Sequence, residues 1–275
     1  LAKERWSMLD PFERPITYLR IAVTDRCDLR CIYCMPAEGV ALKQHAEILS
    51  YEQIAAIARE AVALGVTKIR LTGGEPLVRR NIESLVQTIA AIPGLEEVTM
   101  TTNGIRLPSL APALKEAGLG RVNISVDSLD PERYRTITRG GDLEAALRGV
   151  DAAVDADLTP VKINMVILPD TPDSDIEAMR AYCEGRGLAL QKITQFSLHD
   201  RGGLASHVEA ERPPKCASCS RLRLTADGVL KPCLFSNGGI PVDFSDIRSS
   251  LLHAVAVKPE EGTQCTDRSM VAIGG

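Results

Sequence analysis

Between residues 18 and 196, short apolar runs rich in β-branched residues alternate with longer segments whose apolar positions recur at helical spacing. The short runs predict strands over 18–23, 66–72, 97–102, 121–127, 160–167 and 189–196. The longer segments predict helices over 50–64, 80–92, 108–118, 142–157 and 174–186. The first of these shows the local logic. Ser50 is a good N-cap, Ile54, Ile57, Ala58 and Ala61 mark one face, and Gly65 follows the end. Strands alternating with helices imply a parallel sheet with right-handed crossovers. A closed eight-stranded barrel would need two more units than these residues supply, and in a parallel sheet of this kind the active site is expected at the carboxyl ends of the strands. Residues 1–17, with Pro11 and Pro15, read as a polar lead-in. Past residue 197 the alternation stops. A turn-rich connector with Gly202, Gly203, Pro213 and Pro214 runs to Lys215, and Asp227-Gly228 then marks a hairpin. The chain therefore divides into 1–200, the α/β part, and 201–275, a small extension.

Composition adds bounds. The 275 residues are 45% hydrophobic and 25% charged, which suits one large α/β domain with an appendage. A net charge of −4 gives no electrostatic case for nucleic-acid binding. No apolar run reaches the roughly 18–20 residues of a membrane span, and Leu1–Trp6 is too polar for a secretory signal. The eight cysteines are grouped at metal-site spacings, which suits a reducing compartment, so a cytoplasmic protein is expected.

Cys27, Cys31 and Cys34 follow the first strand at C-x3-C-x2-C spacing. Three thiolates on one loop can hold three corners of a cubane iron–sulfur cluster and leave the fourth iron open for chemistry. Zinc is the rival metal, although a structural zinc site wants four protein ligands, and buried unligated thiols are the plainer alternative. The second strand runs into Gly73-Gly74-Glu75-Pro76. Paired glycines let backbone approach a ligand, and Glu75 before a proline is held extended. A simple strand–helix turn would explain them too. Thr101-Thr102-Asn103-Gly104 and Asn123-Ile124-Ser125-Val126-Asp127-Ser128 end the next two strands and could be capping groups or ligands. Arg20, Lys68, Arg70 and Lys162 lie on different strands; singly each could snorkel to the rim, but four converging on one mouth suggest an anionic substrate. Cys216, Cys219 and Cys233 make a second three-cysteine set, with zinc completed by Cys265 or His253 as the alternative. Arg221 and Arg223 share one face of a strand. Cys183 falls in a helical pattern and reads as core.

The Cys27–Cys34 run, with the GGEP, TTNG and SVDS loops, resembles the radical S-adenosylmethionine (SAM) family. That resemblance implies a partial (β/α)6 barrel with a C-terminal iron–sulfur extension. It also implies a [4Fe–4S] cluster whose open iron binds SAM and cleaves it to a 5′-deoxyadenosyl radical. Tyr33, Gly73, Gly74, Glu75, Thr102, Ser125 and Lys162 would then surround the cofactor. The second cysteine set and the terminal Ser269–Gly275 run further resemble the GTP 3′,8-cyclase (MoaA) family of molybdenum cofactor biosynthesis. This implies two [4Fe–4S] clusters, the second on Cys216, Cys219 and Cys233 and binding guanine. Radical attack at the ribose C3′ would be followed by bonding to guanine C8. Arg20, Lys68, Arg70, Lys162, Arg221 and Arg223 would line the substrate site, and Gly274 and Gly275 would reach into it. Cys27, Cys31, Cys34, Arg221 and Arg223 would carry the catalytic step. The partners implied are GTP or a related anionic small molecule, a flavodoxin- or ferredoxin-type electron donor, a later enzyme that uses the product, and a second copy in a homodimer.

Two departures from that pattern stand out. The segment between the sixth strand and Cys216 is several times shorter than the family's. Where the family has Arg-Phe-Ile-Glu on strand six, this chain has Gln191-Lys192-Ile193-Thr194-Gln195, and Lys192 can replace an arginine as a point charge but not as a bidentate fork. A shortened paralogue acting on another nucleotide or a peptide is therefore the alternative, with a noncatalytic two-cluster electron carrier behind it.

Overall fold

The computed structural model describes residues 8–199 and 216–274. The connector from 200 to 215, the first seven residues and Gly275 lie outside the described residues. The chain begins with a short antiparallel pair, β1 (Met8–Leu9) and β2 (Pro15–Ile16). The repeating part follows as β3 (Tyr18–Ala22), α1 (Tyr51–Ala63), β4 (Lys68–Thr72), α2 (Ile82–Ala90) and β5 (Glu97–Thr102). It continues with α3 (Leu107–Glu116), β6 (Arg121–Ser125), α4 (Pro131–Thr138), α5 (Leu143–Asp155), β7 (Lys162–Ile167), α6 (Asp173–Gly185) and β8 (Ala189–Thr194). All six strands expected over residues 18–196 form and pair in parallel in sequence order, from β3 to β8.

The C-terminal region builds on the same sheet. β9 (Arg221–Leu224) pairs in parallel with β3, β10 (Val229–Lys231) turns back against β9, and β11 (Ile240–Pro241) closes the edge. The sheet thus has nine strands in the order β11-β10-β9-β3-β4-β5-β6-β7-β8, with β8 and β11 as open edges. Helix α7 (Ile247–Ala256) and the short α8 (Met270–Ile273) complete the chain. Among the described residues no helix is long and apolar enough to cross a membrane.

Period-2 alternation sorts the strand side chains between two surroundings. Leu19, Ile21, Ile69, Leu71, Val122, Ile124, Ile163 and Met165 are buried in the apolar core that the helices cover. Their neighbours Arg20, Arg70, Asn123, Ser125, Lys162 and Asn164 face a cavity on the concave side. The helix α1 carries the expected cap, with the Ser50 hydroxyl accepting from the Gln53 N–H and the Gln53 side chain accepting in return from the Ser50 N–H.

Candidate active site

A cavity of about 420 Å³ opens at the carboxyl ends of the strands. It is lined by the cysteine loop on one side and by a group of arginines on another. The loop is fixed from below by backbone. Gly74 and Glu75 donate their N–H groups to the carbonyls of Thr24 and Arg26, both at 2.8 Å. A Cβ on Gly73 or Gly74 would collide with those same carbonyls, so only glycine permits the approach. From the side, Asn103 donates to the Asp28 carboxylate at 2.7 Å, while Arg139 donates to the carbonyls of Arg30 and Met35 at 3.0 and 2.8 Å.

Cys27, Cys31 and Cys34 are all half-buried, unpaired by disulfide and on the cavity wall. Burial pushes the Cys27 thiol up to about 12 and the Cys34 thiol up to about 11, and it lifts Cys31 further; Asp127 adds to the shift at Cys31 and Cys34. Thiols so raised stay protonated at neutral pH unless a metal takes the proton's place. Among the described residues no three His, Cys, Asp or Glu side chains converge on a single ion. A cubane asks for something else, one thiolate at each of three separate irons, and this loop offers that donor set.

Two buried carboxyls back the loop. Glu75 accepts from the Leu77 N–H at 3.0 Å, the Thr102 hydroxyl at 2.7 Å and the Asn103 N–H at 2.7 Å. Burial nonetheless raises it to about 7. Asp127 accepts from the Tyr33 hydroxyl at 2.7 Å and the Val166 N–H at 2.8 Å, and burial raises it to about 6. Tyr33 and Thr102 are therefore engaged with protein carboxylates. The sequence signal of Asp127 is an acid two residues past Ser125 at a strand end.

The opposite wall carries charge. Strand register aligns Arg223 with Arg20 and Arg20 with Arg70, so three guanidiniums form one rung across β9, β3 and β4. Like charges set opposite one another destabilise a sheet. Arg70 finds the Tyr18 hydroxyl at 2.6 Å and the Thr101 hydroxyl at 3.0 Å, while Arg223 and Arg20 both donate to the Gly274 carbonyl, at 2.9 and 3.4 Å. The partners of Arg70 and Arg223 among the described residues are neutral. Burial, followed by Arg70 and Arg221 against a favourable Tyr18, lowers Arg20 to about 10, and burial with Arg20 and Arg221 holds Arg223 well below its ordinary value. Arg221 and Lys162 line the same cavity, and Glu75 is the one carboxylate among its described lining residues.

Lys68 stands apart. Its ammonium pairs with Glu97, which also accepts from Arg121 at 2.5 Å, and it does not line the cavity. Lys68, expected at the substrate site, is the first residue of β4 and is held by Glu97. Strands β6 to β8 add the neutral side chains of Asn123, Asn164, Gln191 and Gln195 to the lining, beside Arg121 and Lys162.

Cys216 and Cys219 flank a 3-10 turn before β9, and Cys233 follows β10. The Phe235 N–H points at the Cys233 sulfur at 3.4 Å. Burial would raise Cys219, but Lys258 and Arg221 outweigh it and its thiol lies below the ordinary value. Leu234 and Met270, beside this set, reach the cavity wall. Cys265 is fully buried and bonded to Asp267 at 3.1 Å.

A model of the radical SAM superfamily matches residues 21–183, more than half of the chain. The chain belongs to the radical SAM superfamily. It is 41% identical to the GTP 3′,8-cyclase of Moorella thermoacetica over 323 aligned positions, covering 98% of this chain and all of that one. It is 37% identical to the GTP 3′,8-cyclase of Petrotoga mobilis, covering 92% of this chain and 94% of that one. The longer alignment exceeds the 275 residues present, so the Moorella relative carries internal segments that this radical SAM chain lacks. Among solved structures, Streptococcus suis SuiB bound to S-adenosylmethionine superposes with a TM-score of 0.66 at 14% identity, over 90% of this chain and 66% of that one, just under two thirds. The enzyme anSMEcpe with bound AdoMet does so at 0.65 and 13%, over 88% and 81%. Those two likenesses establish the fold. A radical SAM protein uses a [4Fe–4S] cluster and SAM, and the Cys27–Cys34 loop resting on Gly73-Gly74-Glu75 could hold both.

Proposed function

We propose that this chain is a GTP 3′,8-cyclase of molybdenum cofactor biosynthesis. In this reading Cys27, Cys31 and Cys34 hold the SAM cluster, and Cys216, Cys219 and Cys233 hold a second. When bound, the clusters and SAM supply the one-electron chemistry. The chain's own residues position and exclude. Gly73 and Gly74 bring backbone to the cofactor, and Glu75, kept anionic by its three donors once a cation arrives, receives the SAM ammonium. Ser125 and Lys162 flank it on the next strands.

The rung of Arg223, Arg20 and Arg70 is the observation that carries the substrate assignment. Among the described residues Arg70 and Arg223 bond neutral groups only, and with Arg20 between them, in the same cavity as the cysteine loop, they suit a triphosphate. Arg221 extends the rung, and Gly274 lies against Thr72 and Ala22 where the rung meets the strand ends. Lys68 has no part in this. A low-potential electron donor of flavodoxin or ferredoxin type would reduce the clusters.

The test is an anaerobic incubation of reconstituted protein with SAM, dithionite and GTP, read by mass spectrometry. Formation of 5′-deoxyadenosine with an isomer of GTP is expected; 5′-deoxyadenosine with unchanged GTP would overturn the substrate assignment. One observation favours a second reading. The β8 wall presents Gln191, Thr194 and Gln195, with neither the arginine nor the carboxylate of the family's strand-six run, which suits a related substrate with a different polar edge. Equilibrium binding separates the two readings, since a chain of the second kind would cleave SAM yet show no affinity for GTP.

A further inference from the structure

Each of the three segments that carry Cys216, Cys219 and Cys233 is tethered by a buried cation from elsewhere in the chain. Arg14, between β1 and β2, donates to the Cys216 carbonyl at 2.7 Å and to the carbonyls of Glu260 and Pro259 at 2.7 and 2.6 Å. Lys258, just past α7, donates to the carbonyl of Arg221, two residues beyond Cys219, at 2.8 Å. The same ammonium donates to the carbonyl of Pro232, next to Cys233, at 2.6 Å. Arg14 and Lys258 are 6% and 3% exposed.

Their charges are balanced differently. Arg14 is neutralised by Asp10, its Nε 2.6 Å from the carboxylate, and Asp10 is further held by the N–H groups of Phe12 and Arg14. Lys258 meets only carbonyls: among the described residues it has no carboxylate partner. A buried ammonium without an anion is costly, and the Cys219 thiol lies close enough for Lys258 to lower its pKa. An iron–sulfur cluster on three thiolates is an anion, and it becomes more so on reduction.

We propose that Lys258 is the positioning residue and counter-charge of the second cysteine set, with Arg14 as the neutral staple that completes the cage. This rests on the reading of Cys216, Cys219 and Cys233 as cluster ligands. Lys258 aligns the two strand ends before metal arrives, and its charge favours the reduced cluster.

The second site is isolated by replacing the first set (Cys27→Ala, Cys31→Ala and Cys34→Ala), and Lys258→Met and Lys258→Arg are compared in that background after anaerobic reconstitution. Iron and sulfide retained per chain are measured, followed by an EPR-monitored redox titration. Lys258→Met should weaken retention on the order of ten- to a hundredfold, as loss of a supporting residue around a metal site does. The cluster that remains should titrate at a lower potential, and Lys258→Arg should restore both. Should Lys258→Met not fold, Lys258→Gln keeps an N–H donor without the charge and carries the potential measurement alone. Equal retention and equal potential in the charge-free variant would overturn the proposal while leaving the second cluster in place. No iron or sulfide on the chain with Lys258 intact would remove the second cluster itself, and the role of Lys258 with it.

Discussion

Glu75 illustrates how a single side chain can be both well bonded and strained. Its three donors favour the carboxylate, yet burial raises its pKa from 4.5 to about 7. Below pH 4.5 the folded and unfolded chains both carry the proton. Between 4.5 and 7 the unfolded chain releases a proton that the folded chain keeps, so the stability contributed by this carboxyl shrinks as pH rises and is gone above about 7. Glu75→Gln removes the titration. In iron-free protein, the urea stability of the parent minus that of the variant should therefore fall from pH 4.5 to 7.5, and a difference that stays level would contradict the assignment. Arg223 stores a tension of the opposite charge. Arg223→Met should weaken GTP binding by about ten- to a hundredfold, the value of a charge-assisted hydrogen bond. Because it relieves the rung, it should not lower the urea midpoint of the ligand-free chain. Arg223→Lys should recover only part of the affinity, since an ammonium lacks the fork. Calorimetric titration measures both.

At the scale of elements, helix packing sets the loop that carries Asn103. A Cβ on Gly149 in α5 would collide with the carbonyl of Gly104, and a Cβ on Gly104 would press on Ile124 at 2.9 Å. Gly149→Ala should therefore cost about 1–3 kcal/mol in urea unfolding and weaken SAM binding, because it pushes the turn whose Asn103 N–H holds Glu75. Gly185→Ala, at the end of α6 with open space around it, should instead be neutral or stabilising by up to about 1 kcal/mol. The six strands were legible because buried parallel strands are apolar and β-branched over their length. Helix α4 was not: Pro131–Thr138 is polar but for Tyr134 and Ile137, although Asp130 caps it by accepting from the Arg133 N–H at 2.6 Å. The cysteine loop and the arginines were legible as motifs. Their alignment into a rung was not, because parallel pairing of β9 with β3 joins residues some two hundred positions apart and leaves no local trace. The tethers were invisible for a related reason. Arg14 and Lys258 lie in segments that read as solvated, and only the fold turns them inward.

On the scale of the whole molecule, the apolar core and the metal-binding chemistry are separate. The large core runs from β1 to β10 and takes in all the helices from α1 to α7, and none of the six grouped cysteines belongs to it. The second set sits instead beside a small cluster of Leu198, Phe235, Cys265 and Ile273, with Cys233 packed against it. A metal that supplied the folding energy, as in small zinc domains, would take the fold with it when removed. Here the barrel has its own core and should outlast its iron. Anaerobic chelation followed by hydrogen-exchange mass spectrometry should leave amides of β4 to β7 protected, with far-UV circular dichroism little changed. Exchange should rise in the Cys216–Phe235 region and in the segment around Lys258, where burial of an ammonium then lacks its anion. Loss of protection throughout the sheet would mean that the clusters hold the fold together. Local loss confined to the second set would show a finished scaffold with a site that is completed by its metal.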